Sequence, residues 1–239
     1  MTINNVNVST YNAKQRTVSF YQHNTIQGYS EWLPGSPVPY LSNQYIRMKP
    51  FTVTLWVYGA NREAISQNVS LILSKLLVPV DLTLDGFTHK FRGTLKSHRE
   101  TEGSVGSVNR WHVLELTFEG YEYGSDIVFS GTGSVVVSNP GNIVSPAAVE
   151  ITTTVSAASV RLTGVCRDLY TGDDIPCVIP DVTAGKTVRM DTLTGKVTQQ
   201  GYPKDVDIWT LPSFKPGNTT VACSNSNCSI VIVLRPFYM

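Results

Sequence analysis

Phe51-Thr52-Val53-Thr54-Leu55-Trp56-Val57-Tyr58-Gly59-Ala60-Asn61-Arg62-Glu63 is the stretch whose reading decides the fold. Its first eight residues alternate, with Phe51, Val53, Leu55 and Val57 on one face. That period of two is the signature of a half-buried strand. The pattern then changes. From Arg62 to Leu77 the apolar residues Ile65, Val69, Ile72 and Leu76 recur at spacings of four, three and four, one face of an amphipathic helix. Asn61 is placed to cap it, and Glu63 lies in the first turn, where the helix dipole favours an acid. Pro79 follows as a stop. A helix is therefore expected over about 62–77, packed across the antiparallel sheet that the strand joins.

Working outward, Arg16-Thr17-Val18-Ser19-Phe20-Tyr21 and Trp111-His112-Val113-Leu114-Glu115-Leu116-Thr117-Phe118 alternate in the same way. Asp81 to Phe91 reads as a hairpin turning at Asp85-Gly86. Glu100 to Asn109, with Gly103, Ser104, Gly106 and Ser107, reads as a mobile surface loop. Gly28 to Met48 is longer and carries Pro34, Pro37 and Pro39 among Tyr29, Trp32, Tyr40 and Tyr45. Long connections are usually functional or disordered, and the aromatics argue against disorder. The expectation is an arm at a subunit interface. Those four aromatics would then anchor a protein partner, stack on a sugar or cap their own core.

The character shifts at Ser130-Gly131-Thr132-Gly133-Ser134. Beyond it come only short strands and turns: Val149 to Val155, Ser159 to Val165, Lys186 to Asp191, Gly195 to Gln200, Thr219 to Cys223 and Ser229 to Leu234. Such spacing suggests a β-sandwich of two antiparallel sheets. The chain is thus expected to be mostly β, with a first domain over residues 1–132 and a second over 133–239.

Composition removes several function classes. Charged residues make up 15% of the 239, against roughly 25% in an average soluble domain, which slightly favours a surface covered by partners. The net charge is +1 without any Lys/Arg run, so neither nucleic acid nor anionic lipid is indicated as a ligand. No stretch reaches the roughly 20 apolar residues of a membrane span. Met1-Thr2-Ile3-Asn4-Asn5 lacks the start of a secretory signal, so synthesis in and release from a cytoplasm is expected. On that footing Asn68, Asn218 and Asn227, which fit the glycosylation pattern, carry no weight.

The residues show no nucleophile elbow, phosphate loop or metalloprotease helix, and no catalytic residue is assigned. His23, His89, His98 and His112 are scattered, and Asp173-Asp174 and Asp205-Val206-Asp207 lack calcium-loop spacing. No metal site or cofactor is expected, and the chain is not read as an enzyme. Cys166, Cys177, Cys223 and Cys228 lack zinc spacing. Cys223 and Cys228 flank Ser-Asn-Ser-Asn, a hairpin loop across which they would face each other, as buried thiols or as a disulfide.

The order of these features resembles the distal tail protein (Dit) family of long-tailed siphophages. The likeness lies in the run Phe51 to Glu63, the hairpin Val80 to Phe87 and the strand ending Phe118-Glu119-Gly120-Tyr121-Glu122-Tyr123-Gly124. In the second half it lies in Gly133 to Gly141 with Pro146, Ala184 to Asp191, Thr194-Gly195-Lys196-Val197, and Leu211 to Val221 with the terminal strand to Tyr238. The resemblance implies an N-terminal ring-forming β domain, a split barrel or sandwich with one helix, followed by a galectin-like β-sandwich. It further implies a homo-hexameric ring at the tail tip of the virion. That ring would join the tail tube protein to a tail-associated hub, lysin or fibre protein and let DNA pass unbound through its lumen. The chain is short for the family and leaves no room for inserted carbohydrate modules, which favours a plain connecting hub. The competing reading is a carbohydrate-binding module for host adhesion, with Tyr202 and Trp209 as its aromatic candidates. A tail hydrolase lacks any acid, base or metal pattern.

Overall fold

The alternating runs become strands in the computed structural model, which describes residues 1–20, 26–31, 40–46, 48–105, 108–168, 173–208 and 210–238. Of these, 26–31, 40–46, 104–105 and 108–110 are described by backbone alone. Met1–Tyr123 forms one compact unit and Gly124–Tyr238 another. The first contains β1 (Thr2–Ile3), β2 (Val6–Asn7), β3 (Ala13–Phe20), β4 (Ile26–Glu31), β5 (Tyr40–Ile46) and β6 (Lys49–Tyr58). Then come α1 (Arg62–Lys75), β7 (Val80–Thr83), β8 (Lys90–Val105) and β9 (Val108–Tyr123). The main sheet is antiparallel in the order β2-β1-β7-β8-β9-β6-β3.

That sheet coils. In a flat sheet Phe20 on β3 would stand about 14 Å from β8, three strand spacings away. Instead its ring centroid lies 5.6 Å from that of Phe91 and 6.0 Å from that of Phe51. Gln15 helps hold the curl, because its side-chain amide donates to the Asp85 carbonyl (3.1 Å) and accepts from the Asp85 amide (2.9 Å). Inside lie Phe51, Phe91 and Phe118 with Val53, Leu55, Val57, Leu114 and Leu116. The alternation of β6 thus becomes the wall of a core.

α1 closes the core as its spacing predicts. Ile65, Val69 and Ile72 are buried, and Leu76 is buried just beyond the last turn. The Asn61 side chain accepts from the Ala64 amide at 2.8 Å, and Glu63 lies in the first turn. Gly59 permits the entry, since a Cβ there would stand 2.7 Å from Ile65 Cγ1.

One expectation fails. Glu100 to Asn109 is not a loop where it is described, because β8 and β9 pair out to Val105 opposite Val108. Gly103 misled the reading. It is a strand residue beneath Trp111, whose Cζ3 would come within 2.2 Å of any Cβ placed there. The hairpin at Asp85-Gly86 is present, with Gly86 at φ +90° and the Phe87 amide donating to the Leu84 carbonyl.

The second unit is a β-sandwich. Its strands are β10 (Ile127–Thr132), β11 (Ser134–Asn139), β12 (Ser145–Thr153), β13 (Ala157–Arg167), β14 (Asp174–Val182) and β15 (Thr187–Asp191). β16 (Lys196–Gln199), β17 (Tyr202–Pro203), β18 (Ser213–Phe214), β19 (Gly217–Cys223) and β20 (Cys228–Leu234) complete it. One sheet runs β10-β20-β12-β15-β16-β17, with β18 beside β12, and the other runs β11-β19-β13-β14. Val149, Ile151, Ile230 and Ile232 from the first sheet and Val160, Leu162, Ile179 and Val221 from the second share one buried core. β14 holds Pro176 and Pro180, and a proline-bearing strand is tolerated here because β14 is an edge. Polar contacts fix the crossings, with Asn139 Nδ2 reaching the Phe214 carbonyl at 2.9 Å and Ser145 Oγ at 3.0 Å.

Candidate functional site

β4 and β5 stand apart from both sheet systems. They pair antiparallel with each other, Ile26 opposite Ile46 and Glu31 opposite Tyr40, and with no other strand among the described residues. Where it is described, the region expected to be an arm is therefore a two-stranded ribbon. A lone hairpin of this kind is marginal in water unless something packs on it. Tyr29 lies opposite Ser42, Tyr40 opposite Glu31 and Tyr45 opposite Gln27, past a register shift between Gln27 and Tyr29. Three of the four aromatics expected at an interface are thus placed on the ribbon. Trp32 lies outside the described residues.

A second aromatic surface was legible only as strand. On the outward positions of β6 and β9, Trp56, Tyr58 and Trp111 line a shallow cleft of about 220 Å³. Trp56 and Trp111 meet edge to face at 6.2 Å, and the Arg16 guanidinium lies 5.4 Å from the Trp56 ring centre. Trp56 Nε1 is buried without an acceptor. The signal available in the sequence was aromatics on the positions of an alternating run that do not face the core.

The remaining candidates have structural employment. Asp174 accepts twice from the Gly164 amide, at 3.0 and 2.8 Å, and so caps a bulge in β13 where Gly164 takes φ +80°. Asp207 exchanges backbone hydrogen bonds with Val178, and its neighbour Asp205 is exposed. His89 Nδ1 lies 2.7 Å from Glu122, His98 is exposed, and the buried His112 pairs with Glu100. His23 lies outside the described residues. Among the described residues no group of three His, Cys, Asp or Glu is placed to hold a metal ion, and no helix is long and apolar enough to cross a membrane. Arg189 bridges Glu150 and Asp191 on the sandwich surface. Burial would push the Asp191 carboxyl up, but Arg189 and the Thr194 and Leu193 amides hold it below the usual carboxylate range. Of the two aromatics proposed for sugar binding, Tyr202 is 78% exposed on an edge strand and Trp209 lies outside the described residues.

Neither a protein family model nor a curated protein sequence matches the chain. Solved structures do. The crystal structure of the SPP1 Dit protein, described as a paradigm of the hub adsorption apparatus in phages infecting Gram-positive bacteria, superposes with a TM-score of 0.74 at 14% identity. The match covers 99% of this chain and 98% of that one. The fold is that of a Dit protein. A chain of the phage p2 baseplate, in its activated conformation with strontium, matches at a TM-score of 0.51 and 12% identity over 95% of this chain and 92% of its own. The Dit fold here includes both units in one unbroken order, so the likeness covers the helix-bearing sheet as well as the sandwich.

Proposed function

We propose that the protein is the structural hub of a phage tail tip. Six copies close into a ring that joins the tail tube to the host-facing tip or baseplate proteins, and DNA passes through the lumen without being bound. The observation that carries this reading is the full-length likeness to the SPP1 Dit hub, through both units. Ring closure requires one heterologous interface repeated about a rotation axis. The ribbon of β4 and β5 supports such an interface, because a two-stranded hairpin, paired among the described residues only to itself, is the kind of element that packing on a neighbouring copy would stabilise. Tyr29, Trp32, Tyr40 and Tyr45 are its proposed anchors, since buried aromatics carry much of the energy of protein interfaces.

In this reading the helix-bearing unit, Met1–Tyr123, forms the ring, and the sandwich, Gly124–Tyr238, galectin-like in fold, faces the tip. The partners are the tail tube protein and a tail-associated hub, lysin or fibre protein. The role is architectural and takes place in the virion after synthesis in the host cytoplasm. It needs no cofactor and performs no reaction. The test is electron microscopy of the purified protein mixed with its tail tube protein. Sixfold rings seated on tube ends are expected. Tubes that stay bare, beside a protein that forms no rings, would contradict the reading.

A further inference from the structure

Cys223 ends β19 and Cys228 begins β20, and these strands belong to different sheets. The turn between them therefore crosses the edge of the sandwich, rather than joining two paired strands as the sequence suggested. The chain crosses the same edge again at Gly133, between β10 and β11. Backbone hydrogen bonds tie the two crossings together. The Cys223 amide donates to the Gly133 carbonyl at 2.8 Å, and the Gly133 amide donates to the Cys228 carbonyl at 2.8 Å. Gly133 has φ +71°, and a Cβ there would lie 3.0 Å from the Ser226 carbonyl, so the clamp is built for glycine. Both cysteines are held against one residue at the same edge of the sandwich, with the Cys228 thiol donating to the Ser229 carbonyl at 3.6 Å.

The two thiols differ in access. Cys228 is fully buried and Cys223 is half-buried. The neighbouring Cys228 thiol brings the Cys223 thiol down to about 7, with burial opposing and the Asn225 backbone adding to the lowering. A thiolate is the nucleophile in exchange, and a thiol with a pKa near ambient pH attacks best. Cys228 is pushed the other way, first by its Cys223 neighbour and then by burial. The sandwich contains an internal comparison. Cys166 and Cys177 are also neighbours, but they are 1% and 0% exposed, and the Cys177 thiol donates to Met190 Sδ at 3.6 Å, so both sulfurs are shielded from reagents.

We propose that Cys223 and Cys228 form a thiol–disulfide exchange site for small-molecule disulfides, with Cys223 attacking and Cys228 resolving. The Cys223 thiolate attacks one sulfur of the small disulfide, forming a mixed disulfide and expelling one thiolate. Cys228 then loses its proton to solvent and attacks Cys223 Sγ, which releases the second thiolate and leaves a Cys223–Cys228 bond. Two electrons pass from the protein dithiol to the small disulfide, which ends as two thiols. The product crosslinks the two sheets at their edge. The site stands on this turn alone, independent of the hub role.

The test uses the folded, reduced full chain and oxidised glutathione, with intact mass and tandem mass spectrometry as readouts. The expected result is the loss of two hydrogens, with the new bond placed between Cys223 and Cys228 and with Cys166 and Cys177 still free. The Cys228→Ser variant is expected to stop at one glutathione adduct on Cys223. Should that variant not fold, alkylation of the wild-type chain by iodoacetamide gives a second readout. Labelling of Cys223 is expected to quicken as pH rises through about 7 and then level off, because the thiolate fraction saturates there. An unreacted Cys223 in the folded chain, a first bond between Cys166 and Cys177, or labelling that climbs only near the pKa of an ordinary thiol would each overturn the proposal.

Discussion

β5 and β6 follow one another in the chain, yet they are supported in opposite ways. β6 lies between β9 and β3, and its inward residues Phe51, Val53, Leu55 and Val57 are all at 0% exposure. Among the described residues β5 pairs with β4 alone. One strand is held by hydrogen bonds on both edges and by a core beneath it. The other has a single paired edge in a two-stranded ribbon. In the hub reading the first is the self-sufficient part of the unit and the second the part proposed to need a partner. The register shows how cheaply the two could be parted. Phe20 lies directly opposite Phe51 in the β3–β6 pairing, so the chain leaves the core sheet and re-enters it at one point.

The largest effect should come from cutting at that point. Replacing residues 22–48 with a short Gly/Ser turn is expected to abolish oligomers while leaving the thermal transition of the first unit within a few degrees of wild type. Size-exclusion chromatography and calorimetry read the two halves of that outcome. A rise in oligomer content, or a collapse of the transition, would break the comparison. Phe51→Ala is the converse experiment, since it empties the centre of the aromatic cluster formed with Phe20, Phe91 and Phe118. It should cost about 3–5 kcal/mol in urea unfolding, as large-to-small changes in cores do. A loss under about 1 kcal/mol would mean that the cluster does not carry the core.

Tyr45→Ala sharpens the contrast. It is expected to weaken assembly by about tenfold to a hundredfold, as the loss of an interface anchor does, with no change in unfolding. Equal assembly by wild type and variant across a dilution series would remove Tyr45 from the interface. The smallest effect belongs to α1. Asn61→Ala deletes the cap on the Ala64 amide and should cost about 1 kcal/mol without altering assembly.

What was legible in the sequence follows the same division. Alternation places one side chain in every two against a core, so the runs in β3, β6 and β9 announced themselves, as did the 3.6-residue stripe of α1. The far ends of β8 and β9 did not, because their pairing beyond Arg99 is backbone pairing of largely polar residues, and Gly103 makes room for the Trp111 ring. β14 was hidden by two prolines that only an edge strand admits. The aromatics of the arm could be named, but not their pairing, because Gly28 to Met48 shows no sustained period of two in its sequence. The cysteine pair was read as facing across a hairpin. Its strands part to separate sheets, and the contact is made through Gly133, distant in sequence, which a local pattern does not encode.

The most direct test of the hub reading is native mass spectrometry of the full chain alongside the chain lacking residues 22–48. Six protomers for the intact chain and one for the shortened chain is the predicted result. An intact chain that stays monomeric at every concentration, both alone and with tail tube protein, would contradict it.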